Sequence, residues 1–292
     1  MRQRGETVNV LFVCSGNTCR SPMAEALFRQ KTKAYADTLH IASCGVFAFD
    51  WSPASDGAIA AMRAHGIDLT AHRARKLTPE LLARADRVIC MSDSQVALLL
   101  PIAGKKVSRL GAGIPDPFGG DTDDYLACAE AIDAALDALL ATDFFVDIEP
   151  ARPDDAPAIA GIERVSFTSP WNEEMLRESL ESELSLSFKA SYLGRTSGYL
   201  LGRAISGEGE LDHLAVSPEC RRHGVGRRLM DAFIAACREG GCRKIFLEVR
   251  SSNTPAQALY RSSGFEQIGL RKDYYSSPVE DAVVMAREET DS

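Results

Sequence analysis

The sequence predicts two successive domains, an α/β domain with a parallel sheet and then an α+β domain. Length is the first observation, because 292 residues at about 150 per domain make two units that can each bury a core. The second is the alternation of apolar strand-like runs with amphipathic helical runs over residues 7–141, which is typical of a parallel sheet covered on both faces. The third is a cluster of short strands within residues 184–216, which indicates antiparallel pairs.

Each element of the first domain follows from a local pattern. Strands are predicted at the apolar runs Val8–Val13, Leu39–Cys44, Arg87–Met91 and Lys106–Leu110. Helices are predicted between and after them, near residues 22–34, 53–65, 79–84, 92–100 and 123–141.

A new pattern opens with a strand at Phe144–Glu149. It continues with two helices, three strands within residues 184–216, and then helix, strand, helix and two more strands. The boundary therefore falls near 141–144, which gives domains over residues 1–143 and 144–292.

Composition and charge exclude several classes of protein. Hydrophobic residues make up 45% and charged residues 25%, which excludes a disordered or collagen-like chain. The 33 basic and 41 acidic residues give a net charge of −8, which argues against nucleic acid as a partner. The longest apolar run, residues 96–102, is too short to span a bilayer and contains Pro101, so no membrane partner is expected.

The N-terminal residues MRQRGETVNV pass from a polar stretch directly into a strand-like run. They lack the apolar stretch of about 7–15 residues that a secretory signal needs, so we expect a cytoplasmic protein. The eight cysteines include no CxxC pair and no Cys/His set with zinc spacing. Most are expected to be buried thiols in a reducing compartment, and no metal site is expected.

A loop after the first predicted strand carries the first candidate site. It reads Cys14-Ser15-Gly16-Asn17-Thr18-Cys19-Arg20-Ser21, and Pro22 then opens a helix. Such a loop presents successive backbone N–H groups to an anion, and the helix N-terminus adds partial positive charge. The same N–H groups, the Arg20 guanidinium and the Ser21 hydroxyl stabilise a thiolate, so Cys14 is expected to attack phosphorus while Arg20 grips phosphate oxygens.

A proton donor is also needed for the leaving group. The segment GAGIPDPFGGD follows the last predicted strand of the first domain, at the same carboxyl edge of the sheet as the cysteine loop. Within it, Pro117 restricts Asp116 to an extended conformation. Asp116 is therefore the candidate general acid, and later the base for the water that resolves the intermediate. Taken alone, Cys14 would be interpreted as a buried structural thiol and Asp116 as part of an Asp-Pro turn, but their combination favours catalysis.

The stretches VLFVCSGNTCRSPMAEALF, HRARKL and DPFGG resemble the low-molecular-weight protein phosphatases over residues 7–141. That resemblance implies a flavodoxin-like sheet, Cys14 as nucleophile, Arg20 binding phosphate, and Asp116 as acid. It also implies that Asn17 and Ser21 organise the loop and the thiolate, and it implies no metal.

Substrate choice within this family bears on Thr18. Tyrosine-specific members usually carry a bulky aliphatic residue there, whereas the arginine phosphatase branch carries threonine and a similar DPFGG segment. Threonine therefore favours phosphoarginine over phosphotyrosine. The thiol-dependent arsenate reductases share the loop, but the partner region expected for Cys90, residues 96–101, contains no cysteine. Cys19 could form a protective disulfide with Cys14 or simply pack in the loop.

A second anion loop lies in the later domain, between a strand and an amphipathic helix. The strand ends in Leu214-Ala215-Val216, and the loop reads Arg222-His223-Gly224-Val225-Gly226-Arg227. The glycines let the backbone approach a ligand closely, and the N–H groups that begin the helix point at it. A pyrophosphate fits there, although a lone Gly-x-Gly is a weak signal.

Residues 145–288 resemble the GNAT acetyltransferases, and within them the ribosomal-protein-alanine N-acetyltransferases. The resemblance lies in SPWNEE, HLAVSPECRRHGVGRRLM, FLEVRSSNTPAQALYRSSGF, RKDYY and EDAVVM. It implies acetyl-CoA as co-substrate, Glu248 as the base and Tyr260 as the acid that protonates the departing thiolate. Asn253 is expected to cap its helix and to touch acetyl-CoA, and His213 to lie near the substrate groove. Asp273 departs from the asparagine often seen in this family.

The predicted protein is thus a bifunctional enzyme. Its expected partners are phosphorylated proteins and the N-terminus of a small-subunit ribosomal protein. Two alternatives stay open at this point: a tyrosine phosphatase fused to a GNAT enzyme for another amine, or a chain in which one domain serves only as a binding module.

Overall fold

The computed structural model describes residues 7–289 and divides them into two units. The first unit ends at Phe144 and the second begins at Phe145. No helix within the described range is long and apolar enough to cross a membrane.

A parallel sheet with helices packed against it forms the first unit. Its strands are β1 (Val8–Cys14), β2 (Leu39–Gly45), β3 (Arg87–Cys90) and β4 (Val107–Arg109). The order is β2-β1-β3-β4, and all neighbouring pairs are parallel, which confirms the predicted α/β class. Its helices are α1 (Arg20–Lys31), α2 (Asp56–Ala64), α3 (Pro79–Arg84), α4 (Asp93–Ala103) and α5 (Thr122–Leu140).

Strand β1 is central in this sheet and buried on both faces, which explains its nearly continuous apolar sequence. Phe12 on β1 is fully buried and packs edge-to-face against Phe28 of α1, with ring centroids 5.4 Å apart. These contacts anchor the strand just before Cys14, so the cysteine sits at the carboxyl edge of a rigid sheet.

Helix α1 begins at Arg20, two residues before the predicted start at Pro22. A proline is tolerated within the first helical turn because the N–H group it lacks would have no partner inside the helix. The earlier start places Arg20 and Ser21 in the first turn, beside the cysteine loop. Cys19 precedes the helix without a side-chain cap, so the N–H groups of the first turn face the loop.

A mixed sheet of seven strands forms the second unit, in the order β10-β11-β9-β8-β7-β6-β5. The strands are β5 (Val146–Pro150), β6 (Phe188–Tyr192), β7 (Arg195–Ile205), β8 (Glu208–Val216), β9 (Lys244–Arg250), β10 (Glu266–Ser276) and β11 (Val279–Glu288). The helices are α6 (Ala156–Ser166), α7 (Glu173–Glu181), α8 (Val225–Glu239) and α9 (Thr254–Ser262). Only the pair β8–β9 is parallel, so the predicted α+β class is confirmed.

The parallel pair in this second sheet comes apart partway along. Strands β8 and β9 pair from Glu208–Lys244 to Leu211–Leu247 and no further, although both strands continue beyond those residues. The sheet is therefore split at its middle, and backbone groups of Leu214–Val216 on β8 face the gap. This split positions the second site.

Candidate active sites

The cysteine loop and the Asp116 segment enclose one cavity of about 280 Å³. It is lined by Cys14, Ser15, Gly16, Thr18, Cys19, Arg20, Phe47, Asp116 and Phe118. The structure thus brings together the predicted nucleophile, the predicted phosphate-binding residue and the predicted acid. Of the loop residues named from the sequence, Asn17 and Ser21 lie outside the lining, beneath the loop.

Two donors face the sulfur of Cys14. The backbone N–H of Asn17 donates to Cys14 Sγ at 3.1 Å, and Ser21 Oγ lies 3.0 Å from the same sulfur. Asn17 Nδ2 donates to Ser21 Oγ at 2.9 Å, and the Ser21 proton then has two acceptors, the sulfur at 3.0 Å and the Cys44 carbonyl oxygen at 3.4 Å. Both groups therefore stabilise a thiolate rather than a thiol.

Asn17 holds the loop in shape from beneath. It is fully buried and has a φ of 55°, a left-handed conformation that asparagine adopts more readily than most residues. Its Oδ1 accepts from the N–H of Arg75 at 2.9 Å, and its carbonyl oxygen lies 2.8 Å from Nε2 of His72. The segment HRARKL therefore braces the loop, a role that the sequence alone did not indicate.

Gly45, at the end of β2, allows the cysteine loop to lie against the sheet. A Cβ atom at this position would come within 2.6 Å of the Ser15 carbonyl oxygen and 2.8 Å of the Asn17 nitrogen. Both atoms belong to the loop backbone, which cannot move aside without losing its contacts with the sulfur. The close approach therefore requires glycine.

Arg20 and Asp116 form an ion pair across the mouth of the cavity, with Arg20 Nη2 and Asp116 Oδ2 2.5 Å apart. Arg20 is buried, whereas the Asp116 side chain is about half exposed (53%). The backbone N–H of Phe118 donates to Asp116 Oδ1 at 3.3 Å and so holds the carboxyl group near the guanidinium. A guanidinium at the cavity floor with a carboxyl group at its rim suits phosphate binding below and proton transfer above.

Cys19 is a buried free thiol next to this cavity. Its sulfur lies 3.3 Å from Ser55 Oγ and 3.5 Å from the Tyr125 hydroxyl, and burial together with this contact raises the pKa of Tyr125. All eight cysteines are buried. Burial raises the pKa of Cys90 to about 12, so this thiol is not ionised at neutral pH.

The second anion loop leads into helix α8. Gly224, just before the helix, has a φ of 77°, and Arg222 has a φ of 65°. The first helical turn contains no acidic residue, which leaves its N–H groups and helix dipole available to an anion. His223 packs against the ring of Tyr192, with centroids 4.7 Å apart, and Arg227 pairs with Asp231 on its own helix at 3.0 Å. A diphosphate fits this turn, and Leu214, Ala215 and Val216 lie beside it on the split part of β8.

A cavity of about 420 Å³ opens beside the split in the sheet. Among its lining residues are Glu248, Tyr260, Asn253 and His213, so the predicted base and acid of the second domain share one space. Asn253 caps helix α9 as expected, since its side chain accepts from the N–H of Ala256 at 3.2 Å. Glu248, Tyr260, Asn253, His213 and Leu214 thus meet around the gap, whereas Ala215, Val216 and the loop residues 222–227 do not line this cavity.

Two of these groups have distinct electrostatic surroundings. Glu248 Oε1 lies 2.6 Å from Arg271 Nη1, and Tyr274 hydrogen-bonds to the same carboxylate. Tyr260 is buried, and burial raises its pKa, so its hydroxyl keeps its proton at neutral pH. A carboxyl group paired with a guanidinium and a protonated phenol therefore line the cavity.

The structure also shows a buried carboxylate that the sequence analysis missed. Glu163 on α6 is fully buried, and its carboxylate contacts the Tyr199 hydroxyl, His213 Nδ1 at 2.7 Å and the backbone N–H of Trp171 at 3.2 Å. Its spacing of four residues from Ile159 placed it on the apolar face of the helix, which was the available signal. Across the described part of the chain, no group of three or more His, Cys, Asp and Glu side chains could hold a metal ion.

Comparison with known proteins divides the chain at the same place. Residues 9–143 match the family model for low molecular weight phosphotyrosine protein phosphatase, and residues 156–265 match the model for the acetyltransferase (GNAT) family. A putative ribosomal protein bS18-alanine N-acetyltransferase of Bacillus subtilis is 34% identical over 135 residues, which are 46% of this chain and 89% of that protein.

Relatives of the first unit include a probable low molecular weight protein-tyrosine-phosphatase, EpsP, of Ralstonia nicotianae. It is 36% identical over 136 residues, 44% of this chain and 91% of that protein. Among solved structures, the YwlE arginine phosphatase of Geobacillus stearothermophilus aligns with a TM-score of 0.42 and 34% identity, over 45% of this chain and 90% of that one.

These findings define a cysteine phosphatase joined to an acyltransferase. The first unit belongs to the low molecular weight phosphotyrosine protein phosphatase family, and the second belongs to the GNAT acetyltransferase family. Both resemblances drawn from the sequence are confirmed. The chain is an enzyme with a phosphatase domain and an acetyltransferase domain, and the second domain uses acetyl-CoA.

Proposed function

We propose that the first domain dephosphorylates proteins, with phosphoarginine preferred to phosphotyrosine, and that the second acetylates the N-terminal alanine of a small-subunit ribosomal protein. The observation that supports the first activity best is the pair of donors at the Cys14 sulfur, in one cavity with Arg20 and Asp116.

In the first reaction, the Cys14 thiolate attacks phosphorus opposite the leaving group. A bond forms between sulfur and phosphorus while the bond from phosphorus to the side-chain nitrogen or oxygen breaks, and Asp116 gives its proton to that atom. Arg20 holds two phosphate oxygens as negative charge builds up. Asp116 then takes a proton from the water that cleaves the sulfur–phosphorus bond. The Cys14 thiolate released in this step is again stabilised by the Ser21 hydroxyl and the Asn17 N–H.

The preference for phosphoarginine rests on Thr18. Thr18 lines the cavity and contributes a hydroxyl as its polar side-chain group. A hydroxyl hydrogen-bonds to a guanidinium, whereas a larger aliphatic side chain at this position would pack against a tyrosine ring.

Phosphoarginine and phosphotyrosine peptides, assayed side by side, test this preference. Wild type is expected to favour phosphoarginine, and Thr18→Ile should lower the ratio of the two kcat/KM values by about tenfold or more, the usual effect of one pocket group on discrimination. Cys14→Ser serves as the inactive control. An unchanged ratio in Thr18→Ile would contradict the assignment of specificity to this residue. An inert wild type would instead favour a binding module.

In the second reaction, acetyl-CoA supplies the acetyl group from the split in the sheet and the start of α8. Glu248 accepts a proton from the substrate nitrogen, and Tyr260 gives its proton to the departing sulfur. The place of Tyr260 in the same cavity as Glu248 supports this role; burial raises the pKa of Tyr260, which keeps the phenol protonated but makes it a weaker acid.

The choice of an N-terminal alanine is supported by the relatives named as ribosomal protein bS18-alanine N-acetyltransferases. It also fits elementary chemistry. An α-amine with a pKa of about 8 is roughly 10% neutral at pH 7, whereas a lysine amine is below about 0.1% neutral. A modest base suffices for the first and not for the second.

Acetyl transfer to a peptide that begins with alanine, compared with an N-blocked peptide that carries lysine, tests this assignment. We expect transfer to the α-amine only, and a loss of about 100-fold in Tyr260→Phe. A preference for lysine or for a small amine would overturn the N-terminal assignment while leaving the acetyltransferase class intact.

A further inference from the structure

We propose that His213 is a second proton acceptor in the acetyl-transfer site, and that Glu163 positions its ring. The proposal rests on the proposed acetylation of an α-amine and adds a residue to that reaction. His213 would take the first proton from the substrate ammonium group, before the nitrogen attacks.

The buried Glu163 side chain orients the His213 ring through its contact with Nδ1. An ionised carboxylate can only accept hydrogen bonds, and burial without donors would cost several kcal/mol. Here the Tyr199 hydroxyl and the Trp171 N–H donate to it, and its third contact is His213 Nδ1. With Glu163 as a carboxylate, His213 Nδ1 donates to it, and the lone pair of the neutral ring then lies on Nε2.

Two aromatic rings hold the imidazole in place. The ring centroid of His213 lies 4.3 Å from that of Trp171 and 5.0 Å from that of Phe167. With Nδ1 bonded to Glu163, Nε2 is the ring nitrogen left for substrate, and the hydrogen bonds within residues 7–289 include none to it.

His213 and Glu248 lie on the two strands that separate at the split. Both line the cavity of about 420 Å³, which is where the substrate amine must meet the acetyl group. The other titratable or charged side chains that line this cavity are Asp212, Arg250, Tyr260, Tyr275 and Glu280.

The proton balance calls for two acceptors. The substrate ammonium must lose one proton to expose its lone pair, and the nitrogen loses a second after the carbon–nitrogen bond forms and the carbon–sulfur bond breaks. Tyr260 supplies the proton that the departing sulfur gains. Glu248, which is paired with Arg271 at 2.6 Å, takes one proton and passes it to the Tyr260 phenolate, so that both groups are restored. His213 Nε2 takes the other and returns it to solvent through the open cavity.

The test compares His213→Gln with wild type on an alanine-initiated peptide at pH 7 and at pH 9.5. We expect kcat/KM to fall by about 100-fold at pH 7, the usual contribution of a general base. At pH 9.5 an α-amine of pKa about 8 is already neutral, so the ratio of wild type to variant should shrink to a fewfold. Glu163→Gln should show a smaller loss with the same recovery, and imidazole should partly restore His213→Gly at pH 7.

His40 is exposed on β2 of the phosphatase domain, and His40→Gln is the matched control. This variant should leave kcat/KM for acetyl transfer unchanged at both pH values. A His213→Gln enzyme with the wild-type rate at pH 7 would overturn the inference, and so would an equal loss at both pH values without imidazole rescue. A wild type that transfers no acetyl group to any peptide would instead refute the proposed function on which the inference rests.

Discussion

The sulfur of Cys14 ends a directed series of hydrogen bonds that begins outside its loop. The N–H of Arg75 can only donate, so it orients the oxygen of the Asn17 amide toward itself and the Asn17 NH₂ group toward Ser21. The Ser21 hydroxyl accepts that bond and can donate to the sulfur at 3.0 Å, which is closer than its other acceptor, the Cys44 carbonyl oxygen at 3.4 Å. Each donor in the series therefore favours the thiolate.

Ser21→Ala removes the hydroxyl that faces the sulfur. A hydrogen bond to a charged group contributes about 1.5–3 kcal/mol, so kcat for an aryl phosphate should fall by about 10- to 100-fold with KM little changed. Ser43→Ala is the matched control, because Ser43 Oγ accepts from the same Asn17 Nδ2 at the same 2.9 Å without reaching the sulfur. Equal losses in the two variants would show that the hydroxyl acts on the loop and not on the thiolate.

At this scale the sequence predicted the residues that stand in local patterns, such as Cys14 and Arg20. It missed His72, whose ring bonds to a backbone carbonyl and so requires no particular residue at the other end. It also missed Glu163. The role of this carboxylate on an apolar helix face depends on its contacts with Tyr199 of β7 and His213 of β8, which only the folded structure shows.

Among the elements, strands and helices were predictable because each follows a periodic pattern, while a splayed strand at β8 was implied only by the resemblance to the GNAT acetyltransferases and not by a residue pattern. Both strands keep their strand character past the last paired residues, and only the register reveals where pairing stops. The turn after β9 is held from another strand, since Glu280 of β11 accepts from Ser252 N–H at 2.5 Å and from Ser251 Oγ at 3.0 Å. This turn leads into α9, which carries Tyr260.

Glu280→Gln should weaken this turn in a pH-dependent way. Its hydrogen bonds, led by that from Ser252, lower the pKa of Glu280 from 4.5 to about 2. Stability from the carboxylate is therefore present above pH 4.5 and lost as the pH falls toward 2. The melting temperature of the variant should lie below that of wild type at pH 6, and the gap should narrow at pH 3.

The neighbouring strand supplies a control for this measurement, the exposed carboxylate of Glu266, replaced as Glu266→Gln. It should leave the melting temperature unchanged at both pH values. A gap between Glu280→Gln and wild type that is constant with pH would show that the turn does not depend on the charge.

Over the whole molecule, each candidate site is formed by residues of one unit. The phosphatase cavity is lined by residues between Cys14 and Phe118, and the acetyl-transfer cavity by residues between Ser166 and Glu280. The two proposed reactions share no intermediate, since one releases phosphate and the other consumes acetyl-CoA. We therefore expect the phosphatase and acetyltransferase activities to be independent of each other.

Paired variants test this independence in the full-length protein. Cys14→Ser should abolish phosphatase activity and leave acetyl transfer within about twofold of wild type, while Tyr260→Phe should do the reverse, with a loss of about 100-fold in acetyl transfer. Both activities are measured on the same preparations. A large loss of acetyl transfer in Cys14→Ser would reveal coupling between the sites.

Gly45 carries a consequence for how this enzyme tolerates sequence change. Its α-carbon leaves no room for even a methyl group beneath the cysteine loop. In a saturation library scored for dephosphorylation, this position should therefore be as intolerant as the nucleophile itself, although it has no side chain and touches no reacting atom. Selection for phosphatase activity would therefore also retain glycine at position 45 on β2, because any larger residue would collide with the cysteine loop.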